Sequence, residues 1–344
     1  MDKRFQIGKS EIDCGHADLC DVGAKNDMGG SPGEAQMFTR RTFNTLALGA
    51  GATLATPTLT EAQPMAAKRL IVDSQIHLWK ANTPDRPWPN GAQAQLPEPM
   101  TIERVVPIMD EGLVDRVVVV PPSLEGTRFD YGQEAARRYP GRFATMGRVN
   151  LDDPNERQRV PQMLEQPAVV GARFFFQPAI AKWLTDGTAD WFWPMAEKIR
   201  LPVMFLTIGQ TPLFAAIAER HPQLPLIIDH LGVTIESVRD NSMATRVAEA
   251  AALAKYPNVS VKLSSIPLYS AEAYPWRDMD PHIKRLFEAF GPQRCHWGTD
   301  ITNSLARATM KQRVTHFTEE LKFLSETDKD WIMGKSILEK LRWN

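Results

Sequence analysis

Residues 71–79 of the chain read IVDSQIHLW. This run is typical of a short buried strand that ends in polar side chains. Because side chains along a strand alternate between its two faces, Ile71, Asp73, Gln75 and His77 are expected to share one face. An amide and an imidazole at the same end of one face indicate a catalytic or binding role rather than a role in core packing. The stretch therefore predicts a functional site at the carboxyl end of the first strand.

The rest of the chain repeats a short apolar strand followed by an amphipathic helix. The predicted strands cover residues 70–77, 115–120, 142–150, 169–176, 202–208, 226–230, 259–265 and 295–300. The predicted helices cover residues 101–111, 131–139, 153–166, 190–199, 212–221, 242–256, 280–290, 307–325 and 329–341. Eight such units favour a parallel, closed (β/α)₈ TIM barrel in a single domain at residues 68–344. No Gly-rich phosphate-binding motif follows any strand, which counts against a nucleotide-binding sheet.

Composition and charge narrow the classes of partner. The chain has 344 residues, of which 43% are apolar and 24% are charged, as in an ordinary globular protein. A net charge of -1 gives no electrostatic basis for binding nucleic acid or an anionic membrane, so a small-molecule substrate is expected. Cys14 and Cys20 lie near the N-terminus and Cys295 lies alone in the predicted barrel, so no internal disulfide is expected there. The sequence leaves open whether the chain forms a homo-oligomer.

Residues 1–67 differ from the rest and are predicted to be a disordered leader. Within them, Arg40 and Arg41 precede a weakly apolar run of small residues, and residues 38–62 resemble a twin-arginine export signal. This predicts a periplasmic or secreted protein. The alternative is a fortuitous arginine pair beside a flexible linker in a cytoplasmic protein. The apolar run is interrupted by Gly, Thr and Pro and is too short for a stable membrane span.

Polar side chains gather at the predicted carboxyl ends of the strands. In a barrel of this kind, those ends point into one mouth, where the chemistry takes place. The residues at these positions are Gln75, His77, Arg148, Asn150, Arg173, Gln177, Thr207, Asp229, His230, Lys262, Ser264, Thr299 and Asp300. The sequence therefore predicts a ring of titratable and hydrogen-bonding groups around one opening.

Four motifs carry a resemblance to a known family. Residues 73–79 read DSQIHLW, residues 228–232 read IDHLG, residues 261–264 read VKLS and residues 297–300 read WGTD. In this order they resemble the amidohydrolase superfamily, in the amidohydrolase-related branch that includes 2-pyrone-4,6-dicarboxylate lactonases and fuconolactonase-like enzymes. The resemblance runs from residue 70 to the C-terminus. It implies a barrel hydrolase but does not identify a substrate.

The resemblance is incomplete at the metal site. Metal-dependent members carry His-x-His on the first strand, a histidine on each of the fifth and sixth strands, and an aspartate on the eighth. Here the first strand reads Gln75-x-His77, and Thr207 stands near the expected fifth-strand histidine. These losses favour a site without a metal cofactor, as in the pyrone dicarboxylate lactonase-like members. The alternative is Zn²⁺ held by the three matching residues, His77, His230 and Asp300, with water as a fourth ligand.

The matching residues imply roles in hydrolysis. Asp300 is expected to act as a general base that activates water, and His77, His230 and Gln75 to stabilise the developing oxyanion. The structural alternatives are an aspartate that accepts backbone N–H bonds, a satisfied buried histidine and a glutamine that plugs the barrel. Asp229 should point away from the mouth at a period of two, and we interpret it as a structural residue that bonds a neighbouring loop.

Several cations near the predicted mouth suit an anionic substrate. Arg173 on the fourth strand is expected to hold a substrate carboxylate in a bidentate manner, and its alternative role is an ion pair inside the barrel. Arg148, Lys262 and Arg128 are weaker candidates of the same kind. Thr207 completes the set of predicted substrate-binding residues.

Together these features predict a hydrolase that opens a lactone or a related cyclic ester, with a carboxylate on its substrate and no obligatory metal. One alternative is a zinc-dependent amidohydrolase or a decarboxylase on the same fold. A second alternative, from a different class, is an exported solute-binding protein that has lost catalysis.

Overall fold

A computed structural model describes residues 68–344 of the chain. The predicted leader at residues 1–67, with its export signal at residues 38–62 and Cys14 and Cys20, lies outside the described residues. Within residues 68–344, no helix is both long and apolar enough to cross a lipid bilayer.

The strands form one parallel sheet in sequence order, and the predicted barrel is confirmed. Their bounds are β1 Val72–Ile76, β2 Arg116–Val119, β3 Phe143–Gly147, β4 Val169–Phe176, β5 Val203–Thr207, β6 Leu226–Ile228, β7 Val259–Leu263 and β8 Cys295–Trp297. Each lies within its predicted range. The polar residues predicted at the strand ends therefore follow β1 to β8 at one end of the barrel.

Helices separate the strands. Their bounds are α1 Ile102–Glu111, α2 Asp130–Arg138, α3 Glu156–Arg159, α4 Phe192–Lys198, α5 Phe214–Arg220, α6 Ile235–Arg239, α7 Met243–Ala252, α8 Ile266–Tyr269, α9 Asp280–Phe290, α10 Met310–Thr315, α11 Glu326–Asp330 and α12 Ser336–Leu341. Thr101 caps α1 by accepting the N–H of Arg104, and Gly112 ends the helix. The short helices α6 and α8 were not predicted, because so few residues carry no clear helical period.

Three predicted helices are interrupted. The predicted helix at residues 153–166 changes at Val160–Glu165 into a 3₁₀ segment with a proline near its start. Wider π turns occupy His316–Glu320 and Trp331–Lys335 within the two predicted C-terminal helices. At Gly334 in the second π turn, a Cβ atom would lie 2.6 Å from the carbonyl oxygen of Leu70. Close packing against the start of β1 therefore requires glycine at that position.

The strands bury both of their faces, as expected of a parallel barrel. One set of strand side chains packs outward against the helices in a large apolar cluster. The opposite set forms a second cluster with the C-terminal helix α12, which includes Val72, Met146, Met204, Ile227 and Ile337. This second cluster fills the barrel interior at the end away from the predicted mouth. The barrel is therefore a packed core with a polar upper end.

The first strand departs from strict alternation. Ile71 packs in the outer cluster and Val72 in the inner one, so the prediction that Ile71 shares a face with Gln75 and His77 is wrong. The pairing with β2 shifts register between Asp73 and Ile76. This irregularity reverses the alternation, because one extra residue moves every later side chain to the other face. It is the reason that Gln75 and His77 point inward.

The seam between β8 and β1 is closed by a buried carboxylate. Asp73 accepts both the backbone N–H of Thr299, at 2.8 Å, and the Thr299 hydroxyl. The N–H of Asp300 donates to the carbonyl of Gln75 at 2.8 Å. A Cβ atom at Gly298 would lie 2.6 Å from the hydroxyl of Ser74, so the two strands approach here at the distance that only glycine allows. Asp73 thus joins the first and last strands directly below the mouth.

We expect Asp73→Ala to lower the free energy of unfolding by ~3 kcal/mol, because it leaves the buried Thr299 donors without a partner. Urea unfolding followed by tryptophan fluorescence measures the change. Asp85→Ala removes an exposed carboxylate and should change stability by less than ~0.5 kcal/mol. Equal, small effects of the two substitutions would show that the seam does not depend on Asp73.

Candidate active site

The centre of the mouth is the carboxylate of Asp300, which follows β8 and is buried. His77 Nε2 lies 3.1 Å from one carboxylate oxygen. The Ser265 hydroxyl donates to the other oxygen at 2.7 Å, and the Asn303 amide donates to both, at 2.9 and 2.8 Å. His230 Nε2 lies 4.0 Å from the same oxygen that Ser265 contacts. The structure therefore places His77, His230 and Asp300 around one point.

Left-handed backbone turns aim these side chains. His230, Ser265 and Asp300 have φ angles of 53°, 64° and 50°, and each follows the end of its strand by two or three residues. A non-glycine residue in this region costs about 1–3 kcal/mol, so such turns persist only where the surrounding structure imposes them. Each turn breaks the alternation of the strand, and neighbouring residues then face the same opening.

The proton positions on His230 follow from its partners. Its Nδ1 lies 2.8 Å from the hydroxyl oxygen of Ser264 and 2.9 Å from that of Ser265. Ser265 has one hydroxyl hydrogen, and that hydrogen is donated to Asp300. A proton on Nδ1 satisfies both contacts, since both serine oxygens then accept. This leaves Nε2 of His230 with a lone pair that faces the mouth.

Burial and charge set the protonation states of His230 and Asp300. Burial lowers the pKa of His230 to about 4, although the Asp300 carboxylate acts in the opposite direction. For Asp300, burial by itself would raise the pKa. The charge that His230 carries when it is protonated at low pH, and the hydrogen bonds from His77 and Ser265, outweigh burial and hold that pKa below its ordinary range. At neutral pH the mouth therefore contains an ionised carboxylate beside a neutral His230.

His77 is held from both sides. Its Nδ1 lies 2.6 Å from the carbonyl oxygen of Val120, and its Nε2 faces Asp300. A carbonyl and a carboxylate both only accept hydrogen bonds, so the ring of His77 lies between two acceptors. These two contacts fix the orientation of the ring beside Asp300.

Two of the positions at which the resemblance places metal ligands hold residues that are engaged with other partners. Gln75 stands at one expected ligand position, and its amide oxygen accepts from the ammonium of Lys262 at 2.7 Å. Thr207 stands at another, and its hydroxyl is bonded to that of Thr211 at 2.9 Å. An ammonium at the first position repels a cation, and a hydroxyl is a weak ligand for zinc. Within residues 68–344, no group of three His, Cys, Asp or Glu side chains is arranged to hold a metal ion.

A buried charge network lies beneath the mouth. The Asp229 carboxylate forms ion pairs with Lys262 at 3.0 Å and with Arg173 at 3.1 Å, and all three side chains are buried. Burial would raise the pKa of Asp229, but the charges of Lys262 and Arg173 lower it below its ordinary value. The prediction that Asp229 points outward to a loop is wrong. Ile227 faces the barrel interior, so Asp229 occupies the next inward position on the same strand.

Besides Arg173, this network engages two of the predicted substrate-binding residues. Lys262 is wholly buried, with Asp229, Gln75 and the sulfur of Met204 around its ammonium. Gln75 is also wholly buried. Both residues therefore lie one layer below the mouth, and the arrangement of Gln75 is that of the barrel plug considered as its alternative role.

Two arginines approach each other at the side of the mouth. Arg173 uses its Nε for Asp229, and Arg148 donates from one nitrogen to the carbonyl of Pro121 at 3.1 Å. Burial, together with the positive charge of Arg173, lowers the pKa of Arg148 to about 10. Within residues 68–344, Arg148 forms no ion pair with a carboxylate. Two neighbouring guanidinium groups, of which only Arg173 is paired with a carboxylate, favour a bound anion.

Arg128 and Thr207 have local partners. Arg128 forms an ion pair with the buried Glu125 at 3.1 Å and donates to the carbonyl of Pro87 at 3.0 Å. The Thr207 hydroxyl accepts from the backbone N–H of Gln210 at 3.2 Å, in addition to its bond with the hydroxyl of Thr211. These contacts tie loops above the strands rather than contribute to the Asp300 cluster.

Sequence reasoning missed two residues of the cluster. Ser265 directly follows Ser264, and alternation would place the two on opposite faces, so only the left-handed turn reveals Ser265. Asn303 lies three residues after Asp300, the spacing at which a side chain reaches back over one turn. That spacing was a signal available in the sequence.

An eight-stranded barrel with an aspartate and two histidines at the carboxyl ends of its strands has the architecture of a barrel hydrolase. The sequence model of the amidohydrolase family matches residues 72–337, and the chain belongs to that family. The predictions of this family and of a hydrolytic enzyme are thereby confirmed.

Individual relatives agree with this assignment. The L-fucono-1,5-lactonase of Burkholderia ambifaria is 27% identical over 241 residues, which cover 67% of this chain and 79% of the relative. An amidohydrolase from Burkholderia multivorans, solved with bound zinc, has a TM-score of 0.66 at 21% identity and covers 80% of this chain and 100% of its own. A putative 2-pyrone-4,6-dicarboxylic acid hydrolase from Pseudomonas putida has a TM-score of 0.65 at 18% identity, with coverages of 81% and 99%. The two solved structures support the fold.

We expect His230 to stay neutral in the folded protein down to a midpoint near pH 4. Nitrogen NMR shifts of the imidazole measure this, with His230→Asn used to assign the signal. Because the unfolded chain takes up this proton near pH 6.5 and the folded chain does not, stability should fall as the pH drops from about 6.5 towards 4. A titration midpoint close to 6.5 would contradict the burial argument.

Proposed function

We propose that the enzyme hydrolyses a lactone or a related activated cyclic ester that carries a carboxylate, without a metal cofactor. The observation that carries the proposal is the hydrogen-bond chain that links His230 through Ser265 to Asp300 in one mouth. The similarity to a lactonase and the fold shared with a putative pyrone dicarboxylate hydrolase support this substrate class.

Water activation is assigned to the pair of Asp300 and His230. A water molecule in the mouth donates one hydrogen bond to the carboxylate and the other to the Nε2 lone pair of His230. Of the two groups, His230 has the higher pKa, so the proton comes to rest on its Nε2 as the water oxygen attacks the ester carbonyl. Ser265 connects the resulting imidazolium to Asp300. The carboxylate of Asp300 stabilises the positive charge of the imidazolium. The sequence alone assigned the role of general base to Asp300. In the proposed mechanism Asp300 and His230 share that role.

The remaining steps return the proton. The carbonyl oxygen gains negative charge in the tetrahedral intermediate, and we assign its stabilisation to His77, whose Nε2 hydrogen is then shared between Asp300 and this oxygen. The bond between the carbonyl carbon and the ring oxygen then breaks, and the ring oxygen takes the proton from His230. One water molecule is consumed, and the product bears a new carboxylic acid and a new hydroxyl group.

Substrate orientation is assigned to the two arginines. Arg173 pairs with Asp229 through its Nε, so this ion pair does not use its terminal nitrogens, and its charge lies close enough to lower the pKa of Arg148. A substrate carboxylate between the two guanidinium groups relieves their mutual repulsion. Lys262 and Gln75 act from below, because they hold Asp229 and the first strand in place without contact to the substrate.

A panel of lactones, including L-fucono-1,5-lactone and cyclic esters with one or two carboxylates, tests the reaction and the metal question together. We expect turnover that a chelator does not change, and a loss of ~100-fold in kcat/KM for His230→Asn because the proton acceptor is gone. Loss of activity with chelator and its return with zinc would instead support the metal-dependent alternative. Binding of a lactone without turnover would support a solute-binding protein.

Arg148→Met tests the orientation of the substrate. It should raise KM at least ~10-fold for a lactone with a carboxylate and leave KM for an uncharged lactone unchanged, because only the former uses the guanidinium. Arg128→Met removes a nearby cation already paired with Glu125 and serves as the matched control. An equal effect of Arg148→Met on both lactones would mean that Arg148 acts through the fold.

A further inference from the structure

A cleft of about 480 Å³ opens at the amino ends of the strands. It is lined by residues that directly precede β5, β6, β7 and β8 and by residues of α12 and the segment after it. Since the mouth around Asp300 follows the carboxyl ends of the same strands, this cleft lies at the opposite end of the barrel. None of its lining residues takes part in the proposed hydrolysis.

The cleft is strongly cationic. Arg200, Arg294, Lys340 and Arg342 line it, and Glu339 is the one acidic residue among its lining side chains. Other cations in the described part of the chain are paired with carboxylates. Lys335, for example, forms an ion pair with Asp330.

None of the four cations has a carboxylate partner within residues 68–344. Arg294 donates only to backbone carbonyls, including those of Ala254 and Tyr256. Arg342 donates to the backbone carbonyl of Arg200 at 2.6 Å. The cleft therefore carries four positive charges that form no ion pair, against the single negative charge of Glu339.

Lys340 is the most constrained of the four. It is half-buried, and within the described residues its ammonium makes no hydrogen bond and no ion pair. Burial, with the positive charge of Arg294, lowers its pKa to about 8. A bound anion would relieve both the desolvation and the repulsion, because opposite charge nearby favours the protonated amine.

We propose that this cleft binds a small organic phosphate. The dianionic phosphate group matches several cations that converge from separate segments, whereas a single carboxylate would neutralise only one of them. The cleft is larger than a phosphate ion, and Pro222, Pro225 and Pro257 form an apolar wall for a compact organic group.

The position of the cleft gives binding a consequence for stability. Ser336 lines it, donates to the carbonyl of Cys295 at 2.7 Å and holds the ring of His296 inside β8 at 2.7 Å. A ligand that bridges Lys340 on α12 and Arg294 before β8 therefore joins the helix that closes the barrel floor to the sheet. Bound ligand should raise the unfolding temperature by mass action and leave the chemistry at the mouth unchanged.

Calorimetric titration of the full chain with phenyl phosphate, and with inorganic phosphate beside it, tests the proposal. We expect saturable binding of phenyl phosphate and an increase of ~10-fold or more in Kd for Lys340→Met, with no change for Lys335→Met, whose lysine lies outside the cleft. Both variants should keep wild-type lactone turnover. Arg148→Met should bind phenyl phosphate as the wild type does, which separates this site from the mouth.

A second measurement covers the case in which Lys340→Met does not fold. Phenyl phosphate should slow acylation of Lys340 in the wild-type chain, as followed by peptide mass spectrometry, and leave acylation of Lys335 unchanged. No saturable binding, equal Kd values for Lys340→Met and Lys335→Met, or unprotected Lys340 would overturn the proposal. Equal affinity for benzoate would also overturn it, because the site would then not select phosphate. None of these outcomes depends on whether lactones are substrates.

Discussion

The buried carboxylate of Asp300 is the constraint on which the mouth of the barrel depends. A charge removed from water persists only if hydrogen bonds and opposite charge surround it. Here the donors come from different parts of the fold: His77 from β1, Ser265 after β7 and Asn303 after β8. Satisfying one carboxylate therefore fixes the relative positions of several strand ends, and it explains why the left-handed turns at His230, Ser265 and Asp300 are tolerated.

The barrel interior changes character from floor to mouth. The floor is apolar and closed by α12, the middle layer holds Asp229 with Lys262 and Arg173, and the top holds Asp300 with the histidines. The middle layer supplies fixed positive charge directly beneath the site. In this arrangement the ammonium of Lys262 binds the amide of Gln75, at a position where the family resemblance places a metal ligand. In the proposed mechanism, hydrolysis without a metal and the use of an anionic substrate have one common electrostatic cause.

The two ends of the barrel use cations differently. At the mouth, Arg173 is fixed by Asp229, so its charge is positioned but partly compensated. At the floor, Arg294 and Lys340 approach each other with no carboxylate between them in the described chain. The first arrangement favours selective orientation of a ligand, and the second favours retention of an anion that stabilises the fold. Charge compensation by the protein, rather than the number of cations, distinguishes the two sites.

The amino-acid sequence by itself determined the barrel and the location of its site. Eight apolar runs separated by helical patterns indicate a parallel barrel, and the polar residues that follow β1, β6 and β8 already identify His77, His230 and Asp300 as neighbours. These signals are local, because burial of a strand and the position of its end depend on adjacent residues.

Only the tertiary structure decided which of two adjacent side chains enters the barrel and which partner each charge finds. The register shift in β1 and the turn at Ser265 reverse the alternation on which a sequence argument relies, whereas Asp229 lies inside because it continues the alternation from Ile227. Arg173 and Asp229 are far apart in the chain, so their ion pair depends on the closure of the sheet. A period of two describes a regular strand, whereas the strand ends of this protein are bent by long-range contacts that no local pattern encodes.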